Sequence, residues 1–140
     1  MIDIINAGFS TEDLQKCFEN RTTLGLGIAT TEMMSGTPVW FLDGPNAAEW
    51  SRFHSVGKVS PITTNHVAAS CSVPVFLPPV KLDDYFYLDG GVNLNRPLSA
   101  AIAMGATKIF CIRTSVSLHQ KLPIRRKAGH PSAANLIKFL

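Results

Sequence analysis

The sequence predicts an α/β fold, and two stretches carry the prediction. In the first, Tyr85-Phe86-Tyr87-Leu88 reads as a buried strand and runs into Asp89-Gly90-Gly91. Pro97 then opens a helix through Leu98–Met104, Gly105 caps it, and Lys108–Ile112 reads as a further strand. In the second, Leu24, Leu26 and Ile28 alternate with glycines, and Pro38–Leu42 follows after a Ser35-Gly36 turn, which reads as a hairpin. Strand, acid-bearing loop, helix and strand in succession are the units of a sheet covered by helices.

Composition sets the frame. The chain has 140 residues, of which 46% are hydrophobic and 16% charged, which suits one globular domain with a real core. The start, Met1-Ile2-Asp3-Ile4-Ile5, carries an acid and no basic region, unlike a secretory signal. No apolar run is long enough to span a bilayer. Cys17, Cys71 and Cys111 are odd in number and widely spaced, so buried reduced thiols in a cytoplasmic-type protein are expected. Charge is uneven: ten acids and five bases lie up to Asp89, and eight bases with no acid follow from Gly90. Arg125, Arg126 and Lys127 in that basic third offer peripheral membrane contact, or form an ordinary solvated loop.

Taken in order, Ser10 is placed to cap a helix whose first turn holds Glu12 and Asp13, with Leu14, Cys17 and Phe18 on one face. Asp43-Gly44-Pro45 breaks the chain after the hairpin. Asn46 with Glu49 resembles a capping box and predicts a short helix through Trp50 and Phe53. Ser60-Pro61 predicts the next helix, running through His66 to about Cys71. Three prolines, Pro74, Pro78 and Pro79, hold an extended apolar loop over Val73–Pro79. Asp83-Asp84 marks a tight hairpin between Val80–Leu82 and Tyr85–Tyr87. Residues 113–131 read as a basic, loop-rich tail, and 132–140 as a helix that stops without a cap.

Asp89 has two readings. At a strand's C-terminal end it stands where ligands gather in open α/β sheets. Asp-Gly between apolar runs is also a hairpin signal, which would make it a mere turn residue. His66 reads as a packed histidine, and His54, His119 and His130 lack partners at metal-ligand spacing. Trp40, Phe41, Trp50 and Phe53 read as core. No metal, cofactor or nucleic-acid partner is expected.

From Val67 to Ile112 the chain resembles the patatin-like phospholipase family. The resemblance rests on Ala69-Ser70-Cys71-Ser72-Val73-Pro74-Val75-Phe76-Leu77-Pro78-Pro79-Val80, Tyr87-Leu88-Asp89-Gly90-Gly91-Val92, Asn95-Arg96-Pro97-Leu98 and Gly105-Ala106-Thr107-Lys108-Ile109. A weaker likeness reaches back to about Leu24. The resemblance implies a single partial domain over 1–140 with a three-layer α/β/α fold. It implies the chemistry of a serine lipid acyl hydrolase, a phospholipase or esterase working through a Ser–Asp dyad, and the loop reading of Asp89. Asp89 would be the catalytic base, with Gly90 and Gly91 as its motif. Phe76 and Leu77 are candidate acyl-groove residues, with core packing as the alternative. A lipid or acyl ester would be the substrate, and a cytoplasmic protein peripheral to membranes the setting.

The chain departs from the family in one respect: no Gly-x-Ser-x-Gly and no glycine-rich oxyanion loop occurs in it. Gly8-Phe9-Ser10-Thr11-Glu12 comes nearest and is better explained as a helix cap. The sequence therefore reads as the C-terminal part of such a domain, inactive by itself. A non-catalytic relic or a lipid- or partner-binding module of the same fold is the alternative.

Overall fold

The computed structural model describes residues 2–52, 54–94 and 98–112. The chain divides into two units, Met1–Thr107 and Lys108–Leu140.

The first unit begins with two helices, α1 (Ile2–Gly8) and α2 (Thr11–Glu19). Ser10 caps α2 as expected, its hydroxyl accepting the Asp13 N–H at 3.1 Å, and Phe18 is buried. The strands β1 (Leu26–Glu32) and β2 (Pro38–Asp43) form the predicted antiparallel hairpin, paired from Leu26↔Asp43 to Thr31↔Pro38. Gly36 takes φ +67° in the connecting turn. The Glu32 carboxylate accepts the N–H groups of Met34 and Ser35 at 2.8 Å each. The Ser35 contact, then that of Met34, holds this carboxyl below its usual range.

The helix expected from Asn46 to Phe53 does not form. A hairpin takes its place, β3 (Trp50–Arg52) with β4 (Ser55–Val59), and β4 lies parallel to β2 from Val39↔Val56 to Leu42↔Val59. The reason is a cross-strand fit: Trp50 stands opposite Gly57 and its indole occupies the space a Cβ there would take. Helix α3 (Thr64–Ser70) starts three residues later than Ser60-Pro61 suggested. The preceding segment is tied to the sheet instead, since the Ser60 N–H donates to Leu42 O and the Ile62 N–H to Asp43 Oδ2, both at 2.9 Å.

The last strands are β5 (Val80–Leu82) and β6 (Tyr85–Asp89), joined by the predicted two-residue turn with Asp83 at φ +52°. A 3-10 turn, Gly90–Val92, follows, and α4 (Ser99–Ala103) ends before Gly105 at φ +87°. Pro97 lies outside the described residues. The sheet order is β3-β4-β2-β1-β6-β5. Neighbouring residues of β2 point to opposite faces. Val39 and Phe41 pack with Ala69 of α3, Leu82 and Tyr87, while Trp40 and Leu42 pack with Ala100 of α4. The result is an α/β fold with a mixed six-stranded sheet between helices.

Several expectations fail on burial. Tyr85 and Phe86 are 52% and 45% exposed, because the β1–β6 ladder ends at Glu32↔Tyr87 and leaves them beyond it. Cys17 is half-buried and Cys71 and Cys111 are exposed, so the free thiols are not core residues. Of the predicted core aromatics, Trp40 and Phe41 are buried, Trp50 is partly so, and Phe53 lies outside the described residues.

Only 108–112 of the second unit is described. It is not a strand, and Ile109, Phe110 and Ile112 are exposed. Strand composition counts only where a ladder partner receives it. The tail expected over 113–131, with Arg125, Arg126 and Lys127, and the helix expected over 132–140 lie outside the described residues.

Candidate functional site

Asp89 is the last residue of β6 and pairs with Thr30 of β1. Its backbone is fixed on both sides. The N–H donates to Ser72 O at 3.0 Å, and the carbonyl accepts the Thr31 hydroxyl at 3.1 Å. Ser72 is wholly buried and its own hydroxyl donates to Ala68 O at 2.8 Å, which welds the end of α3 to the end of β6. The Asp89 side chain caps the 3-10 turn, with Oδ1 accepting the Gly91 N–H at 2.7 Å. Among the described residues Oδ2 has no hydrogen-bond partner, so one carboxylate oxygen is oriented and the other keeps its lone pairs free of their donors.

The two glycines differ in their work. Gly90 is buried and packed on β1: a Cβ there would lie 2.6 Å from Ala29 O and 2.7 Å from its carbonyl carbon. Gly91 is exposed and serves through its N–H, with space for a Cβ only 3.2 Å from Asp89 Oδ1. After Asp89 the chain enters a 3-10 turn and then α4, not a return strand, so the hairpin reading of Asp89-Gly90 is overturned. Asn93 closes the turn by donating to Gly36 O at 2.7 Å.

Phe76 and Leu77 precede β5, on the loop that follows α3. Phe76 is 83% exposed, which also excludes the core alternative for it, and Leu77 is half-buried. Three described cavities, of about 630, 470 and 290 Å³, are lined by other residues. His66 is the packed histidine expected, 7% exposed and edge-on to Phe41 with ring centres 4.5 Å apart. Burial lowers its pKa, against the opposing pull of Asp83 and Asp43. Among the described residues no group of three or more His, Cys, Asp or Glu is arranged to hold a metal ion. No described helix is long and apolar enough to cross a membrane.

Sequence reading missed Ser72 and Thr31, the two residues that hold the Asp89 backbone. Both act through partners far along the chain, and neither bears a local signal beyond its small polar side chain.

These features define an α/β chain with an ordered, half-open acid at the C-terminal end of a strand. Residues 41–102 match the family model described as patatin-like phospholipase, so this segment is similar to the patatin-like lipid hydrolases. No curated protein and no solved structure matches the chain.

Proposed function

We propose that this chain supplies the acid of a Ser–Asp lipid acyl hydrolase, with Asp89 as the proton acceptor. The observation that supports the reading best is the Asp89 carboxylate itself: one oxygen is held by Gly91 N–H and the other is without a partner among the described residues. A general base needs that combination of fixed direction and an open lone pair. With a serine placed against Oδ2, Asp89 takes its proton as the hydroxyl attacks a lipid ester carbonyl. The serine oxygen lone pair bonds to the carbonyl carbon and the π electrons move to oxygen. On collapse the carbonyl re-forms, the C–O bond to the alcohol breaks and the alcohol leaves with the proton from Asp89. Water deprotonated by Asp89 then attacks the acyl-serine, releasing the fatty acid as the proton returns to the serine oxygen. The serine is not among those here that the fold commits elsewhere: Ser10 caps α2, and Ser72 is buried and bonded to Ala68 O. With no Gly-x-Ser-x-Gly in the sequence, the chain by itself performs no hydrolysis.

The test joins this segment to a Gly-x-Ser-x-Gly segment of the same family in one protein. Asp89→Asn should lower ester hydrolysis by about 10²–10⁴-fold, the usual worth of a general base. Asp83→Asn and Asp84→Asn, in the β5–β6 turn, should change it little. Equal losses in all three would count against Asp89 as the base.

A further inference from the structure

The loop between α3 and β5 is built in an unexpected way. Val73–Pro79 contains no charged or polar side chain, and its tip turns Val75 and Phe76 outward, each 83% exposed, with Val73 41% exposed behind them. Val75 sits at φ +76°. For a β-branched residue this is a true outlier, whereas glycine or asparagine takes such a position with little strain. A loop selected only to turn the chain would carry one of those. An apolar side chain held there against backbone strain points to a use for the side chain.

The backbone narrows the kind of partner. Pro74, Pro78 and Pro79 have no N–H. The N–H groups of Phe76 and Leu77 donate to Val73 O at 3.2 and 3.0 Å, and that of Val73 donates to Cys71 O at 2.9 Å. Val75 alone keeps an N–H with no acceptor among the described residues. Among the described residues the loop's N–H groups are thus nearly all absent or bonded, while of its carbonyls only Val73 O accepts such a bond, so the tip suits the hydrated headgroup–acyl boundary and not the hydrocarbon interior. Just past the loop, exposed Lys81 is placed to meet an anionic headgroup while the apolar tip goes deeper. One foot of the loop meets Asp89, whose N–H donates to Ser72 O, and the other joins the same strand two residues earlier, where Val80 pairs with Tyr87.

We propose that the Val73–Pro79 loop is a lipid-surface anchor that buries Val75 and Phe76 at the headgroup–acyl boundary of a membrane. It rests on the hydrolase reading only for its meaning, which is to bring Asp89 to the surface where acyl esters lie. The anchoring itself needs no catalysis.

The experiment uses the full chain and vesicles of phosphatidylcholine with a minority of phosphatidylserine. Phe76→Trp places a reporter at the tip; its emission should shift to the blue on vesicle addition and be quenched by lipids brominated on the acyl chain. Val75→Ser with Phe76→Ser should weaken vesicle binding by about tenfold or more, as loss of two buried apolar side chains requires. Val75→Asn separates function from folding, since it should raise the melting temperature by relieving the backbone and still weaken vesicle binding. Asp89→Asn should leave vesicle binding unchanged, so a failure of the catalytic reading is distinguishable from a failure of this one. A folded Phe76→Trp variant with no blue shift and no quenching would overturn the proposal. So would vesicle binding that survives the double serine change, or self-association through the tip without a vesicle response.

Discussion

Gly90 shows how narrowly one residue is set. The added Cβ of Gly90→Ala would fall 2.6 Å from the carbonyl oxygen of Ala29, on strand backbone that has no rotamer to yield. Overpacking of this kind costs about 1–3 kcal/mol, and thermal denaturation should show the loss. Gly91→Ala presses only on a side-chain oxygen at 3.2 Å, so it should disturb the aim of Asp89 more than the fold. Equal melting temperatures for wild type and Gly90→Ala would show that this close approach is not required. The Asp-Gly-Gly motif was legible in the sequence because its three residues act on one another. The division of labour between the glycines was not, because it depends on Ala29, sixty-one positions earlier. The core alternative for Phe76 fails for the same reason: an apolar side chain signals burial, and only the loop's path shows that it points outward.

At the scale of elements, the β2–α3 contact turns on His66. Its Nδ1 accepts the Thr63 N–H at 3.1 Å at the start of α3, and its ring rests against Phe41. Burial lowers its pKa from the ordinary value of about 6.5. Between that value and the lower folded one, the unfolded chain binds the proton and the folded chain does not, so stability rises with pH. The contribution is complete above about pH 7 and is lost as pH falls through 6.5 and on through the folded pKa. The urea midpoint should therefore drop between pH 7.5 and 5.5, and His66→Gln should flatten that drop; identical pH dependence in both proteins would contradict it. Elements with local signals were readable, such as α2 with its Ser10 cap and the hairpin at Asp83-Asp84. Those settled by distant partners were not. Asn46–Glu49 carries a capping pattern, yet Trp50 against Gly57 decides for a hairpin, and Asp43 holds the Ile62 segment out of α3.

At the scale of the molecule, a mixed sheet covered on both faces holds an acid at a strand end, within a patatin-like segment over 41–102. The fold class was legible because strand and helix periods alternate along the chain. That no Gly-x-Ser-x-Gly occurs was legible in the sequence alone. The β1–β6 ladder runs from Glu32↔Tyr87 to Thr30↔Asp89 and no further, so Leu26–Ala29 pair only with β2 among the described residues. The unmatched stretch begins directly beside the acid. As proposed above, this chain contributes the base and not the nucleophile. Treating the purified 140-residue chain with a serine-directed fluorophosphonate and weighing it, alongside an assay with a short-chain ester, tests this. No mass increase and no hydrolysis above background are expected, in wild type and Asp89→Asn alike. Stoichiometric labelling of a serine, with hydrolysis that disappears in Asp89→Asn, would contradict it.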